Sequence, residues 1–570
     1  MFLKARFKVT CHVKSDAQAR YGSRMKLVRA QCIAFFAMGM LACPEPTVGS
    51  RDSGILPDSG EVDTDSGVIG FDAGEVTPDA GFDAGFDAGD VRVLGSEDVG
   101  RYWAFLDSRF ETDAPGEYWF EARESSSASW DAGLTTPRLS LGANESIPRA
   151  WVYGLKPGTT YQYRACHLGD GGTPRCTEGA RRTLTTRAAT SMRWIVRDPT
   201  HARRLAYEDG GAFNPFGNNL VNIGGGGRYD LIEDTMYSDA GMQRIASNFL
   251  RHKFAVPDAG ALNTIRIHLQ FAHFIVDGGA PHREAFARMA QVVELAEDRG
   301  LYLMLTGLNY FYPGDNPAWV YQQAEAQHWA TQALWWRNMA TALAHSPSPF
   351  LFDLMNEPVV PGNWVMGGEY WYMNINPRTY CSYGADPDAG IHGTCFPQFI
   401  TSEPGTRTRS AIAAAWVALM RQAIRGDGGV VVDARHLITA GAADTKMTDP
   451  FQAASVYASL DVISPHLYPT AADGGQETID FVAAQSALSG KPIVVGETFS
   501  LPGNPSRMVT KTCRAGTAIG WIGQQLGGDD FGGSCTLPGP WFCAFWDLWY
   551  TQQRALGDYV LAGQCPPDVP

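Results

Sequence analysis

Two glutamates in this chain stand where apolar runs end. Phe350-Leu351-Phe352-Asp353-Leu354-Met355 leads without a turn into Asn356-Glu357-Pro358, and Pro492-Ile493-Val494-Val495-Gly496 leads into Glu497. A carboxylate at the mouth of a buried strand is costly unless it is paired or does chemistry. Two such groups facing each other across a cleft meet the requirement of glycoside hydrolysis. One must be protonated to help the leaving oxygen depart, and the other ionised to attack the anomeric carbon. A separation of about 5–5.5 Å between the carboxyl groups means retention of configuration, and about 6.5–9.5 Å means inversion.

Such a pair needs surroundings that drive its two pKa values apart. Arg266 lies in the run Asn263-Thr264-Ile265-Arg266, which closes on His268. It is expected beneath Glu497, where its charge favours the ionised carboxylate. Ser464-Pro465-His466-Leu467-Tyr468 ends another run. Tyr468 is expected to orient the nucleophile, and His466 to touch the sugar or the acid. Asn356, beside the acid, is expected to donate to a sugar 2-hydroxyl. Tyr310 and Tyr312 follow a further run and suit stacking on a sugar face.

Something must carry these run ends to one place. Candidate strands fall at Asn219–Ile223, Leu262–His268, Leu301–Thr306, Phe350–Met355, His436–Thr439, Val462–Ser464, Ile493–Val495 and Ala518–Gly523. Amphipathic stretches such as Arg283–Asp298, Gln327–Ala344 and Ser410–Ile424 lie between them. Short strands alternating with helices predict an α/β fold, a (β/α)8 TIM barrel over 189–570 with its chemistry at the C-terminal strand ends. The alternative is a doubly wound sheet, but Gly224–Gly227 lacks the GxGxxG spacing of a phosphate loop.

With these motifs in place the chain resembles the cellulase-type glycoside hydrolases of family 5, in clan A. Asn356-Glu357-Pro358, His466-x-Tyr468 and Gly496-Glu497 stand at the fourth, sixth and seventh strands, and Asn263–Arg266 is similar to that family's second strand. The resemblance covers most of 190–530. It implies retaining hydrolysis of β-linked polysaccharide or oligosaccharide, Glu357 as acid/base, Glu497 as nucleophile, and no cofactor. Asn309 stands where many members carry a histidine after strand three. Trp521 sits early in strand eight, with Leu526 near the place of the usual sugar platform. Both departures bear on the substrate. A β-mannanase or an exo-β-glycosidase on the same scaffold is the alternative within enzymes. A surface glycan-binding lipoprotein that has lost activity is the alternative outside them.

The first 190 residues are organised differently. Met25-Lys26-Leu27-Val28-Arg29 and the apolar stretch Ile33–Leu41 read as an export signal, with the true start possible at Met25. Gly39-Met40-Leu41-Ala42-Cys43 resembles a lipobox, which makes Cys43 the expected lipidated residue and 1–43 the signal segment. The protein is thus expected to be exported, as a bacterial envelope lipoprotein or an extracellular protein, touching membrane only through that anchor. Residues 44–90 repeat Asp-Ser-Gly and Asp-Ala-Gly, a composition that predicts an acidic, disordered linker. Within it, residues 51–90 hold eleven Asp/Glu against one Arg, so most of the net charge of −14 is local. That charge argues against nucleic acid as a partner. Residues 91–188 show short alternating segments, and Gly154-Leu155-Lys156-Pro157-Gly158 before Tyr161 resembles the tyrosine corner of a fibronectin type III sandwich. Such a module is expected to act as a spacer. Eight cysteines follow Cys43, with no zinc spacing, so disulfides and no metal are expected. Cys166 and Cys176 flank one Gly-rich turn and Cys381 and Cys395 another. Cys513, Cys535, Cys543 and Cys565 are expected to form two more bridges in an open pairing. The chain is expected to act as a monomer.

Overall fold

The computed structural model describes residues 91–567 apart from 111–114, 131–132, 143–149, 170–171, 177–181, 221–230, 254–261, 277–278, 310–322, 359, 361–399, 402–404, 428–429, 443–449, 470–474, 499–504 and 524–555. Eight parallel strands form its centre: β1 (Phe216–Leu220), β2 (Thr264–Gln270), β3 (Tyr302–Asn309), β4 (Leu351–Asn356), β5 (Leu437–Ala442), β6 (Ser464–Pro465), β7 (Val494–Thr498) and β8 (Gly520–Gly523). Their order in the sheet is β6-β5-β4-β3-β2-β1-β8-β7. The two ends meet through parallel bridges Ile463↔Ile493 and His466↔Glu497, as a TIM barrel requires. Between the strands run helices α1 (Asp239–Lys253), α2 (Arg283–Glu297), α3 (Glu325–Leu343), α4 (Arg409–Arg425), α5 (Gln476–Ser489) and α6 (Pro505–Arg514).

The sequence explains this layering. Parallel strands are covered on both faces, so they read as nearly continuous apolar runs. Ile265, Ile267, Leu269, Leu303, Leu305, Phe352 and Leu354 pack in one core with helix residues such as Phe286, Trp335, Trp336 and Trp416. Side chains alternate along a strand, so Arg266, His268 and Asp353 face the other way, into the barrel. The lower interior is apolar: Met304, Leu351, Leu437, Val462, Val494 and Ile522 cluster with Ile195, Leu205 and Phe213. Those last three belong to a small antiparallel sheet (Ile195–Arg197, Leu205–Tyr207, Ala212–Phe213) that closes the barrel floor. With the floor sealed by hydrocarbon, the polar layer lies above it, at the C-terminal strand ends.

Several sequence expectations shift. The first strand starts at Phe216, ahead of the expected Asn219, and expected residues 221–223 lie outside the described segments. The second strand runs on past His268 to Gln270. Trp521 is 1% exposed in the core between barrel and helices, while its neighbour Ile522 faces the barrel interior. Alternation therefore turns the indole away from the bowl, and Trp521 packs the core instead of contacting substrate.

Ahead of the barrel lie two antiparallel sheets. One pairs Val91–Val99, Trp103–Phe110 and Ala150–Tyr153. The other is built on Gly116–Glu124 and Thr160–Leu168, flanked by shorter strands. Leu106, Val152, Tyr118, Phe120 and Tyr163 from both sheets share one buried cluster. The Tyr161 hydroxyl accepts the Lys156 backbone N–H at 2.8 Å. A Cys166–Cys176 disulfide staples one hairpin, and Cys513–Cys565 ties α6 to the chain's last described residues. Cys43, Cys381, Cys395, Cys535 and Cys543 lie outside the described residues, as do Tyr310, Tyr312 and Leu526.

Candidate active site

The strand ends bring Arg266, His268, Asn356, Glu357, His466, Tyr468 and Glu497 into one bowl. Arg266 is the hub. Its side chain is fully buried, and its Nη1 donates to Glu497 Oε1 at 2.7 Å and to Asn219 Oδ1 at 2.7 Å. Nε and Nη2 donate to Asp353 Oδ2 at 3.1 and 2.6 Å, and Nη2 also to Asn356 Oδ1 at 3.0 Å. Burial alone would lower the pKa of this guanidinium, but Asp353 and Glu497 outweigh that and raise it, so it stays charged.

Each glutamate has its own surroundings. Glu497, on β7, is 4% exposed; Oε1 takes the Arg266 bond and Oε2 a short hydrogen bond from the Tyr468 hydroxyl. Burial, followed by the fields of Glu497 and Glu357, pushes the Tyr468 hydroxyl well up, so it remains a donor. Glu357 follows β4 with its side chain 24% exposed, open to the bowl, and its Oε1 lies 2.9 Å from His466 Nδ1. The same Nδ1 is 3.6 Å from Glu497 Oε2, so His466 stands between the two carboxyl groups. Glu357, His466 and Glu497 each present a polar atom within 4.8 Å of the others. A cation would find three ligands there, but Arg266 already supplies positive charge at 2.7 Å from Glu497. The trio is better suited to holding a proton.

Local backbone serves the same end. Glu357 has φ +46° and Leu308, at the end of neighbouring β3, has φ +51°. A left-handed conformation without glycine costs on the order of 1–3 kcal/mol and is held only where surrounding structure enforces it. Gly441 on β5, between β4 and β6, lies against the cluster. A Cβ there would lie 2.8 Å from His466 Nε2, 3.1 Å from Arg266 Nη2 and 3.2 Å from Asp353 Oδ2.

His268 is buried with Nε2 2.9 Å from both Arg266 Nη1 and Asn219 Oδ1. Burial, then the Arg266 charge and His466, hold its pKa well below the ordinary value, so the ring is neutral. Asn356 spends its Oδ1 on Arg266, leaving its amide N–H groups to donate. Asn309 is buried at the end of β3, where Nδ2 donates to the Thr306 carbonyl at 3.2 Å. Its Oδ1 has no partner among the described residues.

Two members of the cluster escaped the sequence reading: Asn219 and Asp353. Both interrupt apolar strands, Asn219 within Phe216-Gly217-Asn218-Asn219-Leu220 and Asp353 within Phe352-Asp353-Leu354. A charged residue inside a barrel strand needs a counter-ion in the interior, and that was the available signal.

The C-terminal mouth of the parallel barrel thus carries two glutamates of unlike setting. Residues 253–505 match the cellulase model of glycosyl hydrolase family 5. No curated protein matches. Among solved structures, the chain is similar to a β-glucuronidase of Bifidobacterium dentium (11% identity, 76% of this chain and 59% of that one, TM-score 0.36). It is similar to an exo-β-1,4-mannosidase from Opitutaceae bacterium strain TAV5 (16%, 57% and 54%, TM-score 0.38). A third is a β-mannanase from the blue mussel Mytilus edulis (14%, 64% and 97%, TM-score 0.40). The chain spans less than two thirds of the length of the first two.

Proposed function

We propose that the protein is a retaining glycoside hydrolase acting on β-linked glycans by double displacement. The observation that carries this reading is the short gap between two unlike carboxyl groups, with oxygens of Glu357 and Glu497 within 4.8 Å. That approach supports direct attack, the mode of paired carboxyl groups about 5–5.5 Å apart. Glu497, held by Arg266 and Tyr468, attacks the anomeric carbon while the glycosidic C–O bond breaks. Glu357 gives its proton to the departing oxygen. In the second step Glu357 takes a proton from water, the water oxygen bonds to the anomeric carbon, and the ester to Glu497 breaks. His466, hydrogen-bonded to Glu357, holds the acid in place between steps, and the Asn356 amide donates to the sugar 2-hydroxyl.

The N-terminal assignments belong to the same proposal. Residues 1–43 direct export, with lipid on Cys43; 44–90 form a linker; 91–188 form a fibronectin type III-like sandwich; and 189–570 form the catalytic domain. Two sheets with one core and the Tyr161–Lys156 bond support the sandwich reading. The test of the reaction is the anomer released. Hydrolysis followed by NMR should show the β-anomer first, with slow appearance of the α-anomer by mutarotation. An initial α-product would overturn retention.

A further inference from the structure

We propose that Asp353 is a positioning residue for the nucleophile: it fixes the plane of the Arg266 guanidinium and withholds part of its charge from Glu497. This rests on the reading of Glu497 as nucleophile. Asp353 sits one turn of the pleat below the catalytic layer, fully buried, and is fed by four donors from three other strands. Oδ2 accepts from Arg266 Nε and Nη2 and from Thr306 Oγ1 at 2.9 Å; Oδ1 accepts from the Gly441 backbone N–H at 2.6 Å. It touches neither glutamate in these contacts, so whatever it contributes passes through Arg266.

The guanidinium has five N–H donors in a rigid fork. Asp353 takes Nε and one Nη2 hydrogen, and Asn356 takes the other. Only the Nη1 edge is then left for Glu497 and Asn219. Without an anion at Asp353 two buried donors lose their charged acceptor, and the fork is free to turn its paired edge toward Glu497. A carboxylate gripped through both oxygens has fewer lone pairs to offer an anomeric carbon. Charge acts in the same direction. Among the described residues, the groups facing Glu497 are Arg266, Tyr468, His466, His268 and Glu357. Tyr468 and His268 are neutral by their pKa directions, so Arg266 is the permanent cation among them. Neutralising Asp353 makes the field at Glu497 more positive, favours its ionised form, and weakens it as a nucleophile.

The test is Asp353→Asn, which keeps the shape and removes the charge. The readout is trapping by a 2,4-dinitrophenyl 2-deoxy-2-fluoro-β-glycoside, taken from a gluco and manno panel as whichever labels the wild-type enzyme. In this reaction the C1–phenolate bond breaks with its electron pair on the phenolate and a C1–carboxylate bond forms, so no proton is needed from Glu357. The expected result is labelling of Glu497 slowed about 10- to 100-fold, the usual scale for a group that supports a site from behind. KM for hydrolysis should change little, and the acidic limb of kcat/KM should move to lower pH. A purely structural Asp353 would lower Tm and leave that limb unmoved. Wild-type trapping rate with an unmoved limb overturns the positioning role while leaving the nucleophile assigned. Label on a residue other than Glu497 in the wild-type enzyme overturns the reading of the site, and this proposal with it. If Asp353→Asn does not fold, Thr306→Val removes one of the four donors at constant charge. It should slow trapping in the same direction by a smaller factor, and an unchanged rate overturns the proposal.

Discussion

Two clusters of opposite charges buried among the described residues are built on different terms. At the barrel mouth, Arg266 is enclosed with Asp353 and Glu497, and the carboxylates are met by Arg266, Thr306, Gly441 and Tyr468. On the outside of the barrel, the N-terminal sheets rest on α2 through Arg101, whose Nη2 donates to Asp298 at 2.6 Å and whose backbone N–H donates to Glu294 at 2.6 Å. Arg187 adds a contact to Glu294 at 3.1 Å, and the Tyr102 hydroxyl donates to Glu297 at 2.7 Å. Here burial outweighs the partners: the Glu294 pKa is raised, and the Glu297 carboxyl is pushed up to about 7. The first cluster spends its donors on keeping ions in fixed places. The second spends them on joining two surfaces, and leaves its acids under strain. Tyr153 adds to this seam by donating to Asn338 on α3 at 2.7 Å, and Arg288 stacks over Trp151.

The sharpest way to break this contrast is to remove each cluster's arginine. Arg266→Leu leaves Asp353 and Glu497 buried without their cation, a loss on the order of 3–5 kcal/mol, together with loss of turnover. Arg101→Leu should cost distinctly less, because its side chain is 11% exposed and the carboxylate of Asp298 is 37% exposed, so water can replace it. Equal losses of Tm in the two variants would show that both clusters are held in the same way.

A second variant probes fixity without touching a charge. Gly441→Ala puts a methyl 2.8–3.2 Å from His466, Arg266 and Asp353 at once, each of them buried. Overpacking of this kind costs roughly 1–3 kcal/mol. Turnover should fall more than stability, since the displaced groups are those that hold Glu357 and Glu497. A drop in Tm with kcat unchanged would mean that the cluster tolerates movement, contrary to the comparison.

How much of this was legible beforehand follows the same division. The glutamates, His466 and Tyr468 could be read because they stand where runs end, and a barrel gathers run ends at one face; Arg266, inside its run, was read through the stretch Asn263–Arg266. Asp353 and Asn219 were missed because they sit inside runs, where the eye takes a lone polar residue for an interruption. Trp521 was misplaced because residue type outweighed strand parity: one position decides whether an indole meets the bowl or the helices. The grip of the N-terminal sheets on α2 was not legible at all. Arg101 and Glu294 are 193 residues apart, and no local pattern marks an ion pair across that distance.

The smallest predicted effect tests the strained side of the comparison. Glu297 has an ordinary pKa of 4.5 when unfolded and about 7 when folded. A folded pKa above the unfolded one means that the folded state binds the proton more tightly. The contribution to stability is therefore complete below pH 4.5 and is lost as pH rises through 7. Wild-type Tm should fall between about pH 5 and pH 8 by more than that of Glu297→Gln, which keeps acceptors for Tyr102 and Ser346 but cannot ionise. The difference should be roughly 2–4 °C. Parallel pH profiles for the two proteins would mean that the interface holds its carboxylates as comfortably as the barrel mouth does. The catalytic rate measured at 25 °C should not distinguish them, because the variant loosens nothing that Arg266 holds.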